Sequence, residues 1–224
     1  MYFDPTYILV IIGAAVCGLA SMHVKNTFNK YNDLYSSVTA QEVAATMLRD
    51  AGIDDVRIES VSGSLTDHYD PTQKVLRLSE SVYGSYSVAA IGVAAHECGH
   101  AIQHKEGYMP LKLRSLSVPA ANFGSVLSWP LMVLGIILGY RPLTTIGILL
   151  FSLVVLFQLI TLPVEFNASS RALAILDGKG VLRGEQLQGA KAVLSAAAMT
   201  YVAALFSSMM QLTRLILISK RNDD

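Results

Sequence analysis

Between Arg141 and Glu165 the chain reads PLTTIGILLFSLVVLFQLITLPV, without one charged side chain. A helix needs about 20 mainly apolar residues to cross a bilayer, and a charge at the bilayer centre is costly, so this run points to a membrane span. Three further runs share the property: TYILVIIGAAVCGLASM after Asp4, ANFGSVLSWPLMVLGIILG before Arg141, and AVLSAAAMTYVAALFSSMMQLT between Lys191 and Arg214. The expected spans are therefore residues 5–24, 119–139 and 143–163. The run at 192–213, rich in Ala, Ser and Met, is either a fourth span or a helix packed inside the protein. No Lys or Arg precedes the first run, so it reads as a retained anchor and not as a signal peptide.

Composition agrees with a membrane protein, since hydrophobic residues make up 52% and charged residues 15% of the chain. The 17 basic and 17 acidic residues cancel, and no basic block is present to track phosphates, which argues against a nucleic-acid partner. Cys17 and Cys98 both fall in apolar helical settings, which does not suggest a structural disulfide.

The segment 25–118 alone alternates charge and apolarity as a water-exposed region does. Thr39-Ala-Gln-Glu42 is a capping box, predicting a helix over about 40–51 that closes at Gly52. DVRIESV and KVLRLS, separated by the turn-rich SGSLTDHYDPTQ, predict a small β-hairpin with a long loop. Ser85 or Ser87 then opens a helix that Gly107 can end. On that helix lies VAAHECGHAIQH, residues 93–104.

His96-Glu97-Cys98-Gly99-His100 fits H-E-x-x-H. Residues four apart share a helix face, so His96 and His100 can reach one Zn²⁺ at about 2.0–2.1 Å each. Glu97 then stands beside the open coordination position, where it can act as general base toward a water activated by the metal and pass the proton to a leaving amine. The bland alternative is a buried helix with satisfied histidines, but burying two imidazoles and a carboxylate in an apolar helix is costly without partners. His104 continues the series, yet eight residues of helix rise about 12 Å, too far for the same ion; it reads as an interfacial or core-edge histidine. The metzincin pattern is excluded, because Gln103 and Glu106 stand where that class has glycine and a third histidine.

A catalytic zinc usually takes three protein ligands. Glu165 is the one acidic residue between Glu106 and Asp177, and a carboxylate at the edge of an apolar run is expensive unless paired or on a metal. The second and third spans form a hairpin through Gly139-Tyr140-Arg141-Pro142, which returns Glu165 to the side of His96 and His100. The expected set is thus His96, His100 and Glu165 around one Zn²⁺. Cys98 points off the histidine face.

These residues carry a resemblance. HECGH, followed after a membrane hairpin by PVEFNASSRA and preceded by LTDHYDPTQKVLRLS, resembles the YugP-type family of membrane-bound neutral zinc metallopeptidases over nearly the whole chain. More distantly, Glu165-Phe-Asn-Ala-Ser169 is similar to the E-x-x-A-D segment of HtpX-type membrane proteases. That likeness implies a glutamate as third ligand and an aspartate, four residues later, orienting a ligand histidine. Here Ser169 stands in the aspartate's place, and a hydroxyl accepts with less charge.

Three further positions are weighed for transition-state or supporting roles. Arg171 can stabilise an oxyanion or lie as a helix-surface or headgroup-level arginine. His68 and Tyr69 are candidate oxyanion donors, whereas turn formation alone accounts for Asp67 and Asp70-Pro71. KVLRLS is expected to offer a sheet edge to an extended peptide. A site-2-type intramembrane protease, with Asp177 of Leu176-Asp177-Gly178 as third ligand, is one rival; DGKG reads instead as a helix-ending turn, and the prolines of that class are missing. A scaffold with a residual metal site is the other.

The expectation is a mainly α, polytopic membrane protein, residues 1–224 forming one integral-membrane metalloprotease domain with a zincin-like H-E-x-x-H helix and a small β-hairpin beside it. Its partners are peptide or protein substrates, membrane proteins among them, and the lipid bilayer. Lys25, Lys30, Lys112 and Arg114 place the catalytic side in the cytoplasm, while Lys220 and Arg221 pull the other way if the fourth run crosses.

Overall fold

A computed structural model describes residues 4–221. In chain order the elements are α1 (Tyr7–Asn32), α2 (Ala40–Asp50), β1 (Arg57–Val61), β2 (His68–Asp70), β3 (Val75–Ser79), α3 (Val88–Lys105), α4 (Met109–Ile137), α5 (Arg141–Gly178) and α6 (Glu185–Arg221). Four of the helices, α1, α4, α5 and α6, are long and apolar enough to cross a membrane.

The chain divides into two compact units, the first comprising Met1–Ser21, Lys112–Pro163 and Met199–Asp224, and the second Met22–Leu111 and Val164–Ala198. Within the described part of the first unit, helices meet at small residues. A Cβ added at Gly13 would lie 2.7 Å from Ser207 Oγ, and one at Gly124 would lie 2.5 Å from the Leu150 carbonyl. Such close approach lets the helix backbones make direct van der Waals contact. Gly139, at φ +60°, makes the tight turn between α4 and α5.

The second unit holds a water-soluble type of core, in which Val43, Met47, Leu76, Leu78, Ile91, Ala95, Leu176 and Leu194 are buried together. Its local signals act as expected from their chemistry. Thr39 Oγ accepts from the Glu42 N–H at 3.2 Å and Glu42 accepts from the Thr39 N–H at 2.8 Å, so the capping box satisfies two backbone donors at the start of α2. Ser87 accepts from the Ala90 N–H at 3.1 Å and opens α3, and Gly107, at φ +65°, follows its end.

The hairpin expectation is corrected. The sheet has three strands in the order β1-β3-β2, with β1 and β3 parallel and β2 antiparallel to β3. The turn-rich stretch between the two expected strands itself contains β2, held at both ends by aspartates. Asp67 accepts from the Ser79 N–H at 2.7 Å and from its hydroxyl at 2.9 Å, while Asp70 accepts from the N–H groups of Thr72 and Gln73 at 2.8 and 3.0 Å. β3 is consequently the central strand, which explains its near-continuous burial. It cannot serve as the exposed edge; β1 and β2 hold the two edges of the sheet.

Candidate metal centre

α3 presents His96, Glu97 and His100, and α5 presents Glu165 and Ser169. What allows these helices to meet is Gly99, where a Cβ would lie 2.6 Å from the Ala168 carbonyl. Any larger residue would hold the two backbones apart. The glycine lies between the two histidines, and Ala168 lies between Glu165 and Ser169.

Nε2 of His96 is 3.3 Å and Nε2 of His100 is 3.6 Å from the same oxygen, Oε2 of Glu165. All three ligand atoms fall within 4.8 Å of one another, and Glu165 is 2% exposed. Ligands at about 2.0–2.1 Å around a tetrahedral ion are separated by about 3.3 Å. The two separations to the Glu165 oxygen are close to that edge, so the donor set and its spacing fit a zinc ion.

Each imidazole is fixed through its other nitrogen. His96 Nδ1 lies 3.0 Å from Ser169 Oγ, and His100 Nδ1 lies 3.0 Å from Gln103 Oε1. Hydrogen bonding at Nδ1 leaves Nε2 available to a metal. The two rings stand edge to face with centroids 4.7 Å apart. Burial acts to lower the His100 pKa, but hydrogen bonding to Glu165 and the charges of Glu97 and Glu165 outweigh it, so the net direction is upward.

Glu97, also buried, accepts from the backbone N–H of Tyr69 at 3.0 Å. β2 thereby touches α3 at the carboxylate, with Tyr69 turning its N–H outward from the sheet edge. The Tyr69 hydroxyl reaches His104 Nδ1 at 2.9 Å, which accounts for His104 without a metal.

The remaining candidates lie differently. The His68 ring donates from Nδ1 to the Thr66 carbonyl at 2.8 Å and accepts at Nε2 from Arg77 at 3.3 Å. Arg171 donates from Nε to Asn167 Oδ1 at 2.7 Å and pairs through Nη1 with Glu106 at 2.7 Å. Asp177 is exposed and lies twelve residues, or about 18 Å of helix rise, beyond Glu165. Its carbonyl accepts from the Gly180 N–H at 2.8 Å in the turn that ends α5. Cys98 is buried with its sulfur 3.7 Å from the Ala44 carbonyl, and burial pushes its thiol well up, so no thiolate is on offer.

Sequence reasoning missed three contributors: Gln103, Asn167 and the Tyr69 backbone amide. One signal for Gln103 was present, since a glutamine one turn past a histidine on an apolar helix must find partners if buried.

The chain matches a family model described as "Putative neutral zinc metallopeptidase" over residues 6–220. It is 47% identical over 216 residues to "Putative membrane protease YugP" of Bacillus subtilis (strain 168), which covers 94% of this chain and 96% of that protein. No solved structure matches. With nearly its whole length matched, and a His-His-Glu cluster of metal-binding geometry, the chain belongs to the neutral zinc metallopeptidase family.

Proposed function

We propose that the protein is a membrane-bound, zinc-dependent endopeptidase in which His96, His100 and Glu165 hold one Zn²⁺ and Glu97 is the general base. The observation that carries this reading is the convergence of two imidazole nitrogens on one buried carboxylate oxygen at 3.3 and 3.6 Å, with a second carboxylate on the same helix. When bound, zinc acidifies water and polarises the scissile carbonyl. Glu97 Oε2 is occupied by the Tyr69 N–H, which leaves Oε1 to take a proton from the attacking water and deliver it to the departing amine. Ser169 and Gln103 hold the imidazoles in the ligating orientation. The outer edge of β2 is the place for an extended peptide or protein substrate to pair, beside Glu97.

The zincin-like H-E-x-x-H helix thus belongs to a multi-pass protein of the cell membrane, its four apolar helices spanning the bilayer. The basic residues flanking the first two spans support a cytoplasmic catalytic side. Reporters fused in the 62–73 loop and after Asp224 test that orientation: a loop reporter active only outside the cytoplasm refutes it.

The activity is tested by metal analysis and peptide cleavage on protein purified in detergent. Wild type should carry one zinc per chain and cleave casein or a peptide library. Glu97→Gln should keep the zinc and lose about 10²–10⁴ in rate, whereas Glu165→Gln should lose both. A Glu97→Gln protein as active as wild type, or zinc retained by Glu165→Gln and lost by Asp177→Asn, overturns the assignment.

A further inference from the structure

The polar groups behind His100 form a chain whose donors and acceptors can be read from one end. Arg171 has only donors, and its Nε points at the side-chain oxygen of Asn167 at 2.7 Å. Asn167 must therefore present oxygen there. The same oxygen receives Gln103 Nε2 at 2.9 Å, and Gln103 Nε2 also donates to the Val164 carbonyl at 2.9 Å. Two acceptors on one side of Gln103 settle which end of its amide is nitrogen. Its Oε1 is thus left facing His100 Nδ1 at 3.0 Å, where only an N–H can satisfy it. Gln103 is fully buried, so an inverted amide would set its oxygen against the Asn167 and Val164 oxygens without water to relieve it.

We propose that Gln103 is a positioning residue for the metal site, and that Arg171, through Asn167, sets the direction of a hydrogen-bond relay that keeps the His100 proton on Nδ1 and its Nε2 lone pair toward the ion. The proposal rests on the metal reading above and adds to it. Arg171 acts on His100 through two amides, in place of a direct contact with substrate. The relay also clamps α3 to the stretch of α5 that carries Glu165, since Val164 and Asn167 flank that residue. Glu106 holds the far end by pairing with Arg171 at 2.7 Å, and Tyr108 lies beneath the guanidinium with its ring centroid 5.9 Å away.

Directionality separates this role from ordinary packing. Lysine at position 171 still has only donors, whereas glutamine at 171 can present either end of its amide. Aspartate at 167 keeps the acceptor oxygen, and leucine at 167 removes it.

Two readouts apply to protein in detergent. In metal-free, ¹⁵N-histidine-labelled protein, the His100 Nδ1–H should give a slowly exchanging proton signal in wild type, Arg171→Lys and Asn167→Asp. That signal should be lost in Gln103→Leu and Asn167→Leu and exchange faster in Arg171→Gln. Zinc affinity, measured by competition with a chelator, should fall about 10–100-fold in Gln103→Leu and Asn167→Leu, the range usual for partners behind a ligand histidine. It should stay within about threefold of wild type in Arg171→Lys. If Gln103→Leu does not fold, the half-exposed Arg171 pair carries the test.

A wild-type His100 Nδ1–H that exchanges freely overturns the relay. So does a matched signal and affinity in Arg171→Lys and Arg171→Gln together with Asn167→Leu. Protected Nδ1–H in a wild type that binds no zinc would instead remove the metal reading and leave the hydrogen-bond relay standing.

Discussion

In the first unit large apolar side chains point outward: Ile8, Ile11, Leu116, Ile137, Leu149 and Leu153 are all exposed. In the second they point inward, around Leu76, Leu78, Ile91 and Leu176. Helix α5 shows both behaviours along its own length. Up to Pro163 it exposes Ile146, Leu149, Leu153, Leu156 and Leu159, whereas beyond it buries Val164, Glu165, Ala168, Ser169, Ala172 and Leu176. One helix thus carries two codes. Where apolar groups point outward, hydrophobicity says little about which face matters; where the helix packs in a core, small and polar residues mark the contact face.

The strongest attack on this contrast is to place a charge on each kind of surface. Leu153→Arg, on the outward face of an apolar run, should weaken membrane insertion by about 2.5–3.5 kcal/mol for a mid-span arginine, read from the inserted fraction in a glycosylation-tag assay. Leu65→Arg, on an exposed loop of the second unit, should change stability by less than about 0.5 kcal/mol. Equal effects would mean that the two surfaces do not meet different solvents.

Glycines sharpen the comparison at a smaller scale. Gly99→Ala should destabilise by about 1–3 kcal/mol in thermal unfolding, because its Cβ has a backbone carbonyl in its way, and it should weaken zinc binding as α3 and α5 separate. Gly18→Ala, with nothing within 4 Å of the added carbon, should be neutral or gain up to about 1 kcal/mol from helix propensity. Thr39→Ala should cost about 1 kcal/mol by removing the cap of α2.

The smallest effect concerns pH. Backbone N–H groups of Gln73 and Thr72 hold the Asp70 carboxyl below the usual carboxylate range. A depressed folded-state pKa gives stability that is present above the unfolded value and lost as pH falls through the folded one. Amide exchange at Thr72 and Gln73 should therefore speed up only in acid well below pH 4, and Asp70→Asn should show faster exchange already at neutral pH.

Much of this was legible because the signals are local. A capping box, a serine cap and a charge-free run each act within a few residues, and α2, α3 and the apolar helices begin and end near them. His96 and His100 are set by helix period alone. Bringing Glu165 to them required one step of topology, the return through Gly139-Tyr140-Arg141-Pro142. The sheet was not legible in the same way. β2 is three residues long, too short to display alternation, and parallel pairing of β1 with β3 depends on a strand between them in sequence that lies outside them in space. Asn167 was silent, and Gln103 gave only the hint of a buried amide, for a related reason: the contacts between α3 and α5 join residues 61 to 64 apart in the chain, and depend on which end of an amide faces which group.

Glu97 is gripped by main chain, and nearly every amino acid at position 69 would offer the same hydrogen. Random mutagenesis aimed at loosening that carboxylate would therefore find position 69 unresponsive to most codon changes, with proline, which has no N–H to give, as the exception. The hold is written into the path of the strand instead of the identity of its residue, so drift in sequence can pass over it while a one-residue slip of β2 against β3 would undo it.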